Sequence, residues 1–557
     1  MGFRLLQVLI FLFGSSFGLS VLASDSALST DLSPVEADNL QNRVDTFYLD
    51  PAPAVMNQRI SKYDVVHENV SNRKSPLSSE VARAQDLISL AGKKLSTSYI
   101  TARNHWIKKK LKPQSELSPW SSIEPSDRIE DLVDTYLTKN EVNRDLDKLP
   151  VKGEVSGDYW SGDYWSMNWG LTSYRYSNGK EFKLYKNAIE DYLQPKEWLT
   201  LFGTLDLESL AKEVELWSPS EKYDLLVGDN KFTLTREQKG EGAYFVQSDG
   251  KVESWFGICD GWSPASIFVP APKKTFKSKG SGGVEITWFP DDVRALASLA
   301  WTNGDYSHNL VGRRCDTINP KTYKNGRISE VECADSNPAT FHFALTNLIG
   351  SHGIPFIMDA TFDAEVWNQP VLAYEIRYFN PRYPKQKSHN FREVMVPYDD
   401  TFKKRDRFQH PLTRGYRRQK EYFDGGIKAV VGVQATVVYL VEYQAEFNLQ
   451  PHENITERVT YTYDLELHEK NSELIPMGGE WHENTHPDFL WVPKKGSVAS
   501  AKWDLQTSEI DIRTVPKENL TEVATESSKE GYPLCPAIEA LVRESSGSSA
   551  YRCAREN

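Results

Sequence analysis

Two observations predict an α+β fold. Apolar residues recur at helical spacing in several segments between Ser78 and Thr302, whereas beyond residue 336 the chain turns to β-rich runs separated by turn residues. Helices first and a sheet later is the α+β pattern. At 557 residues the chain has ample length for a sizeable core and more than one domain. Charged residues at 25% and aromatics at 12% describe a globular protein, and a formal net charge of -12 argues against a nucleic-acid partner.

The N-terminus, "MGFRLLQVLIFLFGSSFGLSVLASDS", has the layout of a secretory signal over residues 1–23. Arg4 supplies the positive start, Leu5 to Phe13 a largely apolar run, and Val21 to Ala23 the small residues before a cleavage point. No later segment holds the ~18 apolar residues of a spanning helix. The expected product is secreted or periplasmic, with no stable membrane insertion once the signal is removed.

Residues 24–150 read as a polar, proline-bearing arm followed by a partly helical region. "SSEVARAQDLISLAGKKL" from Ser78 and "RIEDLVDTYL" (128–137) carry the helical spacing. Its place beside the signal makes it a candidate pro-region. Residues 157–176 double the motif "GDYWS", either a packed aromatic loop or the paving of a cleft. "LESLAKEVELWSPSEKYDLLVGD" (207–229) reads as helix, Ser-Pro break, helix, and "RALASLAWT" (294–302) as a helix with Asp291 and Asp292 at its positive end.

Strands are predicted over 340–350, 354–361, 371–379, 427–447 and 457–469, the last with clear alternation. Residues 401–422 are a basic run in an acidic chain, read as a solvated loop. Residues 504–530 read as a linker within a tail spanning 496–557. Sequons stand at Asn69, Asn454 and Asn519.

Five cysteines in an exported chain leave one thiol over. Cys315 and Cys333 are 18 residues apart, as are Cys535 and Cys553. Pairing neighbours frees Cys259, although other pairings are open. Cys259 lies in "WFGICDGWSPAS", where Pro264 in the first turn of a helix would put the thiol at the positive end of the helix dipole. Pro270 and Pro272 limit that helix to two turns.

A thiolate nucleophile needs an imidazole and an orienting group. His342 in "TFHFALTN" and Asp359 in "PFIMDAT" are the candidates, joined by the turn "GSHGIP" as strands of one hairpin. Cysteine, then histidine on a strand, then aspartate on the next is a papain-like layout. A satisfied core histidine is the bland alternative. Candidate oxyanion donors are the Cys259 N–H and the Trp255 indole, with Trp255 and Trp262 lining the cleft or packing beneath it. "HENTH" (482–486) matches H-E-x-x-H, but glycines before it and Pro487 after it place it off a helix, where two histidines do not face one metal.

In order along residues 150–495, "LWSPSEKYDLLVGD", "WFGICDGWSPAS", "ECADSNPATFHFALTNLIG", "DATFDAEVWNQPV" and "GGEW…HPDFLW" resemble the transglutaminase elicitor family of oomycetes and some bacteria. "VWNQP" resembles the start of the peptide that plants recognise, here continued as "LAYEIRYF" rather than in the usual way. The resemblance implies a papain-like catalytic region over 151–495 with a β-rich C-terminal half. It implies a protein-glutamine γ-glutamyltransferase joining glutamine and lysine side chains of protein substrates through a cysteine thioester, often with calcium. Cys259 takes the place of the nucleophile, His342 of the base and Asp359 of its orienter. No calcium loop is visible, although Asp359, Asp363 and Glu365 cluster. The alternatives are a papain-like cysteine protease or amidase, or a non-catalytic secreted surface protein.

Overall fold

The computed structural model describes residues 127–178, 182–190, 201, 203–313, 336–360, 365–398, 427–445, 447, 453–482, 486–507 and 509–553. The signal segment, most of the N-terminal arm, the basic run and the Cys315–Cys333 pairing lie outside them, as does the sequon at Asn69.

In chain order the helices are α1 (Ile129–Val133), α2 (Tyr185–Glu190), α3 (Leu207–Glu215), α4 (Pro219–Val227), α5 (Thr233–Glu241), α6 (Cys259–Phe268), α7 (Pro290–Asn303), α8 (Pro338–Phe343), α9 (Glu518–Ser528) and α10 (Cys535–Ser546). The strands are β1 (Lys152–Glu154), β2 (Phe276–Lys279), β3 (Glu285–Trp288), β4 (His308–Gly312), β5 (Phe356–Asp359), β6 (Asn368–Asn380), β7 (Tyr383–Ser388), β8 (Val396–Pro397), β9 (Ile427–Leu440), β10 (Thr456–Lys470), β11 (Glu473–Trp481) and β12 (Phe489–Pro493). Among the described residues ten strands form one antiparallel sheet along the path β11-β10-β9-β6-β5-β12-β4, with β1, β7 and β8 attached, while β2 and β3 form a separate hairpin. This is an α+β architecture of helices around an antiparallel sheet.

The Ser-Pro break predicted inside 207–229 is a helix start. Ser218 accepts from the Glu221 N–H, Glu221 returns the bond to the Ser218 N–H, and Pro219 fills the first position. Helix α7 begins at Pro290 with Asp291 and Asp292 in its first turn, as their charge suits. Buried Lys222 pairs with Asp292 at 2.6 Å, and the Tyr176 hydroxyl donates to Asp292 at 3.0 Å, fastening α4 and the aromatic loop to α7. The doubled "GDYWS" segment is itself packed, with Trp160, Tyr164 and Trp165 all buried.

Three sequence expectations need correction. The strand over 340–350 is helix α8 followed by a π-helical stretch, Ala344–Ser351. Asn337 caps it by accepting from the Ala339 N–H, and Pro338 occupies its first turn. A run buried on every side carries no period to tell helix from strand. The hairpin joining His342 to Asp359 therefore does not exist. Residues 504–530 are not a linker, because they include α9 and the buried Asp504, which accepts from the Ala501 and Cys535 N–H groups at 2.7 and 2.8 Å. Pro264 falls in the second turn of α6 rather than the first. The tail's disulfide is present between Cys535 and Cys553, and α10 begins at Cys535.

Candidate functional site

Cys259 is the first residue of α6, and among the described residues it is the free cysteine. The loop before it is held from below. The Ile258 N–H donates to the Tyr164 carbonyl at 2.7 Å, and a side chain at Gly257 would meet that carbonyl at 2.3 Å. Two residues on, Gly261 lets α6 press against α7, since a Cβ there would lie 2.0 Å from Thr302 Oγ1 and 2.2 Å from the Ser298 carbonyl. The nucleophile candidate is thus fixed at both its flanks.

The thiol faces the sheet. Sγ lies 3.6 Å from the Val366 carbonyl, to which it donates, and 3.6 Å from Asn368 Nδ2, from which it accepts. The Trp491 indole donates to Asn368 Oδ1 at 2.8 Å. Asp359 pairs with Asn368 across the β5–β6 ladder, and its Oδ1 accepts the Trp367 N–H at 3.0 Å. Trp367 stands edge-on to Tyr164, with ring centroids 5.5 Å apart. Cys259 is 6% exposed, and burial first, then the charges of Asp260 and Glu442, push its thiol up to about 12, with Asn368 opposing. Glu442, buried and accepting from Gln369 Nε2 at 2.8 Å, is itself pushed up to about 8 by burial.

The sheet separates the expected base from the expected nucleophile. Successive residues of a strand face opposite sides. Asp359 and Asn368 share the side touched by Cys259, whereas Met358 faces the other side and accepts from the Tyr461 hydroxyl at 3.7 Å. Tyr463, two residues from Tyr461, lies on that far side with its hydroxyl 2.9 Å from His342 Nδ1, and the Tyr378 hydroxyl lies 3.4 Å from Nε2. His342 is fully buried on α8, and desolvation lowers its pKa to about 3. These contacts describe a satisfied core histidine. Asp359 does lie on the side of Cys259, where it accepts from the Trp367 N–H.

Of the two tryptophans, Trp255 is half-buried and edge-on to Phe256, with centroids 4.3 Å apart. Trp262 is fully buried one turn inside α6, with Gly162 against its indole, so it is a packing residue of the core. Asn368, Val366 and Trp491 were missed from sequence. Asn368 sits inside the "VWNQP" stretch, and no local signal marks it, because its contact with the thiol spans 109 residues.

Of "HENTH", residues 483–485 lie outside the described residues; His482 directly follows β11 and bonds to Asp464 at 3.4 Å, and His486 stacks on Trp481 at 5.2 Å. No group of three or more His, Cys, Asp or Glu side chains among the described residues is placed to hold a metal ion. Glu365 accepts the Trp367 indole at 3.2 Å, and Asp363 lies outside the described residues. No helix among the described residues is long and apolar enough to cross a membrane.

The family model for the transglutaminase elicitor matches residues 129–519. Among solved structures, the GP42 transglutaminase from Phytophthora sojae is similar at 20% identity and a TM-score of 0.43, covering 72% of this chain and 98% of that one. No curated protein matches the chain.

Proposed function

The chain belongs to the transglutaminase elicitor family, and from that premise we propose that it is a secreted protein-glutamine γ-glutamyltransferase whose nucleophile is Cys259. The observation that carries the reading is the placement of a free thiol on the first residue of a helix, against a fixed amide donor. A helix start favours the thiolate, and a thiolate is what attacks an amide carbon.

In the first half-reaction the deprotonated Sγ bonds to the side-chain amide carbon of a substrate glutamine, and the carbonyl electron pair moves onto oxygen. Collapse breaks the C–N bond and releases ammonia, which takes up the proton the thiol lost. In the second, a lysine amine attacks the thioester carbon, sulfur leaves, and the proton given up by nitrogen returns to it. The products are an isopeptide bond and the free thiol. Water in place of the amine gives deamidation. Asp359 acts in this reading by holding Trp367, and through it the Val366–Asn368 segment that meets the thiol. The base role expected of His342 has no support in its contacts.

One observation favours a second reading, a non-catalytic secreted protein: burial keeps the thiol protonated as it stands. Incorporation of a labelled primary amine into a glutamine-rich protein decides between them. Wild type and Cys259→Ala are compared with calcium and with chelator, using both the full chain and protein trimmed of residues 24–126. Incorporation that disappears in Cys259→Ala carries the transferase. No incorporation by any wild-type form, with Cys259 inert to alkylation in native protein, moves the reading to the non-catalytic protein. An alkylatable Cys259 without transfer moves it to a protease or amidase.

A further inference from the structure

We infer that Asn368 is a catalytic residue of this site, an amide donor aimed at the reacting sulfur and at the oxyanion formed beside it, and that Trp491 is the positioning residue that sets its direction. The inference rests on Cys259 being the nucleophile. Either end of an asparagine amide could face a neighbour, so the assignment must come from the partners. An indole N–H only donates. Trp491 Nε1 lies 2.8 Å from one end of the Asn368 amide, which makes that end the oxygen. The opposite end, 3.6 Å from Sγ, is then the NH2 group. Both residues are nearly fully buried, Asn368 at 4% and Trp491 at 5% exposure, and each comes from a strand of the same sheet. The donor is therefore fixed before any substrate arrives, which is the arrangement that stabilises charge without reorganisation.

The two neighbours of the thiol pull in opposite directions. The Val366 carbonyl accepts the S–H and so favours the protonated form. It would repel a thiolate. Asn368 donates, so its contact strengthens when the sulfur becomes negative. Its side-chain and backbone N–H groups both oppose the raising effect of burial, Asp260 and Glu442 on the thiol. When Sγ bonds to the amide carbon and the carbonyl pair moves to oxygen, the negative charge passes from sulfur to an oxygen one bond beyond the new S–C link. The second N–H of the same NH2 group serves there.

The test is the pH dependence of Cys259 alkylation by iodoacetamide, read on the peptide containing Cys259, in wild type, Asn368→Asp, Asn368→Ala and Trp491→Phe. Asn368→Asp keeps the shape and the acceptor for Trp491 while replacing the donor by oxygen, so it separates donation from packing. The alkylation midpoint moves to higher pH in all three variants, most in Asn368→Asp and least in Trp491→Phe. Amine incorporation falls on the order of 100–1,000-fold in Asn368→Ala, the loss typical of a deleted oxyanion donor. A midpoint in Asn368→Asp and Asn368→Ala equal to that of wild type overturns the inference. Shifted midpoints in a protein that transfers no amine to any substrate sink the transferase while leaving Asn368 as the donor to the thiol.

Discussion

Each face of the sheet buries an ionisable side chain delivered by a helix, and the two differ in what their partners favour. On one face α6 presents Cys259 to Asn368 and the Val366 carbonyl, contacts that favour opposite protonation states of one sulfur. On the other, α8 presents His342 to the hydroxyls of Tyr463 and Tyr378, which satisfy both ring nitrogens of the neutral imidazole. Phe341 adds aromatic packing there, edge-on to Tyr461 at 5.5 Å between centroids. The difference teaches that burial alone does not mark a reactive group. A group poised for chemistry keeps a partner whose preference changes with its charge, and a structural group has every partner already in agreement.

The largest effect expected from this contrast is on activity. Cys259→Ala abolishes amine incorporation, whereas His342→Gln, once shown to be folded by circular dichroism, stays within about 10-fold of wild type, because losing a true general base costs roughly 100–10,000-fold. A His342→Gln variant that is folded and yet inactive to that extent would break the comparison outright. Next comes stability. Phe341→Ala on the His342 side is expected to cost roughly 3–5 kcal/mol, the usual loss for a buried phenylalanine, in denaturant unfolding. Gly261→Ala on the Cys259 side is expected to cost less, roughly 1–3 kcal/mol, because its Cβ would be driven against Thr302 and the Ser298 carbonyl. A reversal of that order would mean that the α6–α7 contact, rather than the aromatic cluster, is the less yielding part of the core.

Much of the fold was legible because its signals are local. Ser218-Pro219, Asp291-Asp292 after Pro290, and the alternation in 457–469 each specify an element within a few residues, and each element is there. The helix at Cys259 was legible only in part, since Pro264 signalled it as a first-turn proline but lies in its second turn. His342 was misplaced because residues 338–349 are buried on all sides, so the run reads equally as strand or helix, and only the Asn337-Pro338 cap distinguishes them. Asn368 and Val366 were beyond local reading altogether. Their contacts with Cys259 span 109 and 107 residues and exist only because β6 passes beneath the end of α6. Trp491 is further still, on β12, which reaches Asn368's side of the sheet through its pairing with β5. The tail was half legible: the cysteine spacing signalled the disulfide, but a Ser/Thr/Glu-rich composition concealed α9 and the buried Asp504.

The smallest predicted effect sharpens the comparison through pH. Burial lowers His342 to about 3, below its ordinary value of 6.5, so the folded state resists a proton that the unfolded chain accepts. The stability this histidine contributes is complete above 6.5 and is lost as pH falls from there towards 3. Glu442, close enough to raise the Cys259 thiol, runs the other way. Its carboxyl moves from 4.5 up to about 8, so the folded state holds a proton that the unfolded chain has released. Its contribution is complete below 4.5 and is lost as pH rises towards 8. Thermal unfolding between pH 4 and 9 should therefore show His342→Gln flattening the acid limb and Glu442→Gln flattening the neutral-to-alkaline limb, each leaving the other limb in place. If one substitution flattens both limbs, His342 and Glu442 titrate as a single coupled unit rather than as independent groups.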